Sequence, residues 1–527
     1  MAPANIVHLP NGQNLAVTPV FGGLFFKSND LATHSPFPAG WTIILNSEDE
    51  VDPEQGEQHG TDHDHERFPP RDVHRYKRPT LNGDHLFISS ISNPSSNEYK
   101  AAASPTRQIA MMLWASLYWY FHQQEPTLQV TNATSKNTAN SGKPKGEWRI
   151  NINREGIFKG KVVLPKLERM GLIASEDSTV GCAQEENSPE GWQKMFVSRT
   201  TFWQLDPRIY LFTLSPMAQS PFPSGSPYAS RPSSPARGLG AESIKEQQLE
   251  QALPSLWSPT APGPFHSSSH LPTYYPPPPA QYVFTNNVRH PVRPKPPRQG
   301  EVFYTRYIPS VGQYLSFRVA SCSSKPLRHR GPISSLTSTP RNSQISSSDF
   351  NIPTMNSLNL DLKSDAEYLQ KWMNEPRVAH FWGEAGDLTH QEEFLKNGLK
   401  SKNSFPAIGC WDGKPFGYFE IYWVKEDNLG KYVPIVSDWD RGFHCLIGEQ
   451  EFRGPHRVKI WLSALVHYCW LADNRTERVM LEPRVDNEKL AQYLQEAGFY
   501  KEREVSLPHK QSNLFKINRD VWKSPAL

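Results

Sequence analysis

The sequence predicts an α/β chain, more narrowly α+β, in two folded blocks with a long stretch between them that lacks regular structure. Three observations carry this expectation. Aromatic and β-branched runs meet at tight turns, most clearly in "FPAIGCWDGKPFGYFEIYWV" at 405–424, where Asp412-Gly413 marks a hairpin. Capping patterns open two helical segments, Ser364 with Glu367 and Thr389 with Glu392. From about 183 to 300 the chain turns to Pro and Ser, as in "SPMAQSPFPSGSPYASRPSSPARG" and "YYPPPPAQ", which bury too little apolar surface to offset the entropy of ordering.

Composition bounds the remaining choices. At 527 residues the chain exceeds one ordinary domain, yet only 37% is hydrophobic and 48 residues are proline, so a large part has no core to join. A net charge of +3 over this length gives no global reason to invoke nucleic acid or an anionic membrane. Five cysteines, Cys182, Cys322, Cys410, Cys445 and Cys469, are odd in number and scattered without metal-ligand spacing, which fits a reducing compartment. The N-terminus reads as neither a secretory leader nor a transit peptide. The longest apolar run, "IAMMLWASLYWYF" at 109–121, falls short of the roughly 20 residues that span a bilayer and predicts a buried helix. The closing Pro525-Ala526-Leu527 does not match a peroxisomal address, so the expected location is the cytoplasm, with the peroxisome as the alternative.

The organisation expected is a mixed α/β block at 1–182, a disordered Pro/Ser-rich linker at 183–299, a strand pair at 300–322 joining the folded blocks, a polar linker at 323–349 and a second folded domain at 350–527. In the first block "HLFISSIS" reads as a strand and "VVLPKLERMGLIA" at 162–174 as a helix.

The last block is the informative one. Two capped helices are followed by the hairpin, and "DWDRGFHCLIGEQEFRGPHRV" at 438–458 then supplies a third strand from His444 to Gly448. A helix over Val458, Leu462, Leu465 and Cys469 follows, then a strand in "ERVMLEPR" and a helix from Asn487 to Ala497. Gly498 suits that helix's left-handed C-cap, and two strands around "REVSLP" and "NLFKIN" finish the chain. This order resembles the GCN5-related N-acetyltransferase (GNAT) fold. In that fold the loop after the fourth strand presents backbone N–H groups at a helix N-terminus to the pyrophosphate of coenzyme A. The resemblance places that loop at Arg453, Gly454, His456, Arg457 and Val458, although Pro455 and His456 depart from the usual R-x-x-G-x-G/A pattern. A basic turn that merely caps a helix is the alternative.

The motifs "GYFEIYWVKEDNLGKY", "DWDRGFHCLIGE", "FRGPHRV", "RTERVMLEPRVDN" and "LPHKQSNL" together resemble the siderophore-biosynthesis acyltransferases, the group of aerobactin-type hydroxylysine acetyltransferases and fungal hydroxyornithine acyltransferases. The likeness runs over about residues 350–522. It implies transfer of an acyl group from acetyl-CoA, or another acyl-CoA, to the hydroxylamino nitrogen of N5-hydroxyornithine, giving a hydroxamate, without a metal. Within the fungal group a cytosolic location implies acetyl transfer for ferrichrome-type siderophores, and the peroxisomal alternative implies anhydromevalonyl transfer.

A base must accept the proton released in amide formation. The resemblance makes His444 the first candidate for catalysis, with Asp486 and, in reserve, Glu482 at the end of the next strand; Asp486 or Asn487 alternatively caps the following helix. His380, Trp382, Arg377 and Lys510 are candidates for gripping the amino-acid end of the substrate, Lys510 or Arg377 at its carboxylate. Cys445, next to His444 on a strand, faces the other way and is read as core. The cluster "HGTDHDHE" at 59–66 is read as a polar loop, not a metal site.

Other function classes compete. One is acetylation of an ordinary amine. Another is a binding protein in which "GIFKGKVVLPKLERMGLIAS" forms a winged-helix-like module and "VRHPVRPKPPR" contacts phosphates. The partners expected are hydroxyornithine and acyl-CoA, with no nucleic acid and no membrane; a homodimer, and SH3 or WW modules reading the Pro-rich stretch, stay open.

Overall fold

The computed structural model describes residues 6–9, 14–20, 22–28, 41–48, 73–91, 105–175, 195–207, 280–285, 287–329, 332–334 and 363–527. The 59–66 cluster and most of the Pro/Ser-rich stretch, at 183–194 and 208–279, lie outside these residues. The chain divides into two compact units, an N-terminal and a C-terminal one.

The N-terminal unit holds strands β1 (Ile6–His8), β2 (Asn14–Val20), β3 (Gly23–Ser28), β4 (Trp41–Glu48), β5 (Val73–Arg75), β6 (Asp84–Ile91), β7 (Arg149–Ile152), β8 (Ala174–Ser175) and β9 (Met195–Ser198), with helices α1 (Pro105–Phe121), α2 (Val163–Arg169) and α3 (Arg199–Gln204). Helix α1 is the apolar run, and its residues from Gln108 to Phe121 are all buried, as its hydrophobicity requires. Among the described residues no helix is long and apolar enough to cross a membrane.

The C-terminal unit opens with a small hairpin, β10 (Tyr282–Thr285) and β11 (Val288–Pro291). Its sheet is built from β12 (Val302–Ile308), β13 (Gln313–Val319), β14 (Ser404–Trp411), β15 (Lys414–Trp423), β16 (Arg441–Ile447), β17 (Arg478–Leu481), β18 (Tyr500–Leu507) and β19 (Lys510–Asn518). Helices α4 (Asp365–Met373), α5 (Pro376–Trp382) and α6 (Leu388–Lys400) precede β14, α7 (Pro455–Ala472) follows β16, and α8 (Glu488–Glu496) follows β17.

Local chemistry explains the boundaries. Ser364 and Glu367 form the capping box that starts α4, Ser364 N donating to Glu367 at 2.7 Å. Three helices rather than two open the domain, because Pro376 at the first helical position of "PRVAHFW" is pre-set for a helix. Helix α6 is capped by Asp387, whose carboxylate accepts from His390 N at 2.8 Å, so Thr389 is a residue of the helix and not its cap. Asn487 caps α8, and Gly498 beyond its end has φ +95°, the left-handed conformation that its position calls for.

Three expected boundaries move. Met195–Gln204 lies inside the span assigned to the disordered linker, yet its aromatic "MFVSRTTFWQ" pairs β9 with β7 and packs α3. The hairpin at 282–291 likewise folds within that span. The strand pair at 300–322 does not join two blocks but begins the C-terminal sheet, β13 pairing with β14 from Leu315↔Trp411 to Val319↔Ala407.

The two sheets follow the same path. The first runs β1-β2-β3-β4-β6-β7-β9-β8 and the second β12-β13-β14-β15-β16-β17-β19-β18, and among the described residues each has one parallel pair, β6/β7 and β16/β17. In both the parallel pair is bridged by the long apolar helix, the crossover that parallel strands need. Both helices open with Pro-x-Arg, at Pro105 and at Pro455. The segment read as a winged-helix module instead supplies α2 and the edge strand β8 of this sheet.

Candidate active site

Strand alternation creates the site. On β15, Tyr418, Glu420 and Tyr422 point to one face, and register sets Glu420 directly opposite His444 on β16. Tyr418 joins the core made by α4, α5 and α6, whereas Tyr422 joins a second cluster with Val424, Met480 and Leu514. The polar pair lies between them. Gly442, opposite Tyr422, makes this possible, since a side chain there would start 2.4 Å from the Tyr422 ring.

Each imidazole nitrogen of His444 meets a carboxylate, Nδ1 at 2.9 Å from Glu420 Oε2 and Nε2 at 2.7 Å from Glu482 Oε1. Tyr422 donates to the other oxygen of Glu482 at 2.7 Å and Tyr418 donates to Glu420 at 2.9 Å. Lys510 donates to the Glu482 carbonyl at 3.0 Å. Trp382 stands edge-on to the His444 ring at 6.3 Å, and Tyr422 lies 4.8 Å from it.

The electrostatics follow from this arrangement. Burial works against the charge on His444, but Glu482 and Glu420 overcome it and lift the imidazole to about 10. Burial also opposes ionisation of Glu482, yet His444, Lys510 and the Tyr422 hydroxyl hold it at about 2. His444 is therefore an imidazolium donating from both nitrogens. It is one-third exposed (33%), Glu420 is 25% exposed and Glu482 only 4%.

The residues singled out in the sequence divide accordingly. His444, Glu482, Lys510 and Trp382 come together. Asp486 does not join them: at 46% exposure it is paired with Arg484 at 3.0 Å and lies 3.5 Å from His380, while Asn487 performs the capping. The reserve candidate, Glu482, thus takes the place given to Asp486, because it sits at the end of β17 where the chain still faces β16. His380 belongs to the exposed Arg484 cluster, its carbonyl accepting from Arg484 at 2.7 Å. Arg377 donates to the Ile447 carbonyl at 2.7 Å and also to that of Gly448, so it secures the end of β16 rather than standing free for a substrate carboxylate.

Two members of the basic loop also turn inward. The Arg457 guanidinium lies over Trp411 at 4.6 Å and donates to Gln313 at 2.8 Å, and the Val458 side chain is buried. Glu420, Tyr418 and Tyr422 were missed by the sequence reading. A signal was present, since a lone carboxylate in the aromatic run "GYFEIYW" of a buried strand demands a partner.

At the corresponding places the N-terminal sheet is apolar. Counting from the parallel pairs, Leu86↔Ile152 matches Gly442↔Met480, which sets Ile88 at the place of His444, and Ile43 pairs with Ile88 as Glu420 pairs with His444. Both isoleucines are fully buried. The polar constellation belongs to the C-terminal unit.

A model of the acetyltransferase (GNAT) domain matches residues 361–507. Across 96% of the chain and 99% of the relative, the sequence is 46% identical to the N5-hydroxyornithine acetylase sidL of Beauveria bassiana. The chain belongs to the siderophore-biosynthesis N-acyltransferase family. It is also 38% identical to the N(6)-hydroxylysine O-acetyltransferase of Escherichia coli over 43% of this chain and 58% of that one. To the N(5)-hydroxyornithine:cis-anhydromevalonyl coenzyme A-N(5)-transacylase SIDF of Beauveria bassiana it is 35% identical over 44% and 42%.

The acyltransferase has a place that fits an acyl-CoA. Strands β16 and β17 pair only at Arg441↔Val479 and Gly442↔Met480, after which the ladder between them stops. Helix α7 has no side-chain cap and no acidic residue in its first turn, so the positive end of an 18-residue helix is uncompensated. Its N-cap Gly454 has φ +130°, and a side chain there would start 3.0 Å from the His456 ring. Exposed Arg453 and His456 flank this cradle. These residues would hold the pyrophosphate. Gly454→Val is therefore expected to weaken acetyl-CoA binding about tenfold or more, roughly 1.4 kcal/mol, with far-UV circular dichroism unchanged. Unaltered affinity in calorimetry would remove the loop from the site.

Proposed function

We propose that the acyltransferase moves an acetyl group from acetyl-CoA to the hydroxylamino nitrogen of N5-hydroxyornithine, forming a hydroxamate for siderophore biosynthesis and so serving iron homeostasis. The observation that carries this reading is the end-to-end likeness to an N5-hydroxyornithine acetylase, 46% identical over 96% of the chain. The anhydromevalonyl-transferring relative matches over only 44%.

The site's chemistry supports it. A hydroxylamine is less basic than an alkyl amine and is largely neutral at cellular pH, so it is nucleophilic as bound. The thioester supplies an activated acyl carbon and a thiol leaving group. The chain's own residues supply a fixed imidazolium at His444 that holds the Glu420 and Glu482 carboxylates in place on either side of it. Cys445 alternates to the face of β16 opposite His444, and desolvation raises its thiol pKa, so it is not placed to act as a nucleophile. Direct transfer needs none.

The setting we assign is the cytoplasm and a ferrichrome-type product, and free thiols at Cys410, Cys445 and Cys469 suit a reducing compartment. Kinetics with acetyl-CoA and anhydromevalonyl-CoA as donors, and N5-hydroxyornithine and ornithine as acceptors, test the reading. The expected order puts acetyl-CoA with N5-hydroxyornithine first. Preference for anhydromevalonyl-CoA would overturn the donor, and equal use of ornithine would favour an ordinary amine acetyltransferase.

A further inference from the structure

We propose that Glu420 is the catalytic residue that takes the proton from the hydroxylamino nitrogen, a step that rests on the acetyl-transfer reading given above. The acceptor must be a group with a free lone pair that a substrate can reach. His444 fails the first condition, because both ring nitrogens donate to carboxylates. Glu482 fails the second, being buried and already bound by His444 and the Tyr422 hydroxyl. Asp427 is turned to its own chain, its carboxylate accepting from Leu429 N at 2.9 Å, and Lys510, on the Glu482 carbonyl, is a donor only.

Glu420 meets both conditions. Its two oxygens each accept one hydrogen bond, from Tyr418 and from His444, and a carboxylate has about four lone-pair sites. It is one-quarter exposed and shares its face of the sheet with Trp382 and His444. Tyr418 and His444 also fix its rotamer, so the acceptor is held in place before substrate arrives.

The step balances within the groups named. The nitrogen lone pair forms the C–N bond to the acyl carbon, and the C–S bonding pair leaves on sulfur. The nitrogen's proton passes to Glu420 and from there to the departing thiolate. Glu420 ends as the carboxylate it was, and His444 remains an imidazolium throughout.

Glu420→Gln keeps the shape and removes the proton acceptor. The full-length variant is expected to lose about 10²- to 10⁴-fold in kcat, while calorimetric affinity for acetyl-CoA and the melting temperature stay near wild type. Glu420→Asp keeps a carboxylate and is expected to retain at least about tenfold more activity than the Gln variant. Equal activity of the Asp and Gln variants, or a kcat for Glu420→Gln within about threefold of wild type, would overturn the assignment; a tenfold factor corresponds to about 1.4 kcal/mol in the barrier. The same assay separates the two levels of the argument. Hydroxamate made equally by wild type and Glu420→Gln sinks Glu420 alone, whereas no hydroxamate from wild type sinks the reading beneath it.

Discussion

His444→Ala is expected to lower kcat for hydroxamate formation by about 10²- to 10⁴-fold while changing acetyl-CoA affinity little. The ring links Glu420 and Glu482 across the place where the β16/β17 ladder has stopped. Its removal takes away the fixed positive charge and leaves two carboxylates facing one another. It also frees Glu420, whose position depends on Nδ1. His444→Gln, which restores one hydrogen bond but no charge, should recover little turnover. Steady-state kinetics beside calorimetry separates the two effects. A His444→Ala enzyme with near-normal kcat would mean that positioning of the substrates alone accelerates the reaction.

Glu482→Ala should be the most damaging change to stability within the site. Removing one partner of a buried ion pair typically costs about 3–5 kcal/mol, and the one-third exposure of His444 puts this case at the low end. Tyr422 loses its acceptor as well, and its hydroxyl is left in a fully buried side chain. The cost should depend on pH in a defined way. The His444 pKa is raised from 6.5 to about 10, so its stabilisation is complete below about 6.5 and is lost as pH rises towards 10. Glu482 is depressed from 4.5 to about 2, so its stabilisation is complete above about 4.5 and is lost as pH falls towards 2. The wild type's advantage over Glu482→Ala should thus be widest between these limits and shrink at pH 9.5. Urea unfolding of both proteins at pH 5.5 and 9.5 measures it, and a difference independent of pH would contradict the ion pair.

Much of this unit could be read from local sequence because its signals are local. The Ser364–Glu367 capping box, the Asp412-Gly413 hairpin and Gly498 are each decided within four residues by hydrogen bonding or backbone sterics. The site was harder. Glu420 and His444 meet through strand register, and Glu482 reaches them only because β17 lies parallel to β16, a tertiary fact. Asp486 was attractive for its place after a strand, yet one turn further along the chain it faces Arg484 and solvent. Composition also misled at 195–204, where ten ordered residues with a Trp and two Phe were averaged into their Pro/Ser-rich surroundings. The shared path of the two sheets had no legible signal beyond Pro-x-Arg at two helix starts, since packing constrains residue type far more loosely than topology.

The most direct test of the central claim is fragmentation mass spectrometry of the product made by the full-length enzyme from N5-hydroxyornithine and acetyl-CoA, compared with His444→Ala. The expected product carries one acetyl group on the nitrogen that bears the hydroxyl, binds iron(III) as a hydroxamate, and is nearly absent with the variant. Acetyl found on the hydroxyl oxygen or the α-nitrogen, or equal product from His444→Ala, would contradict the claim.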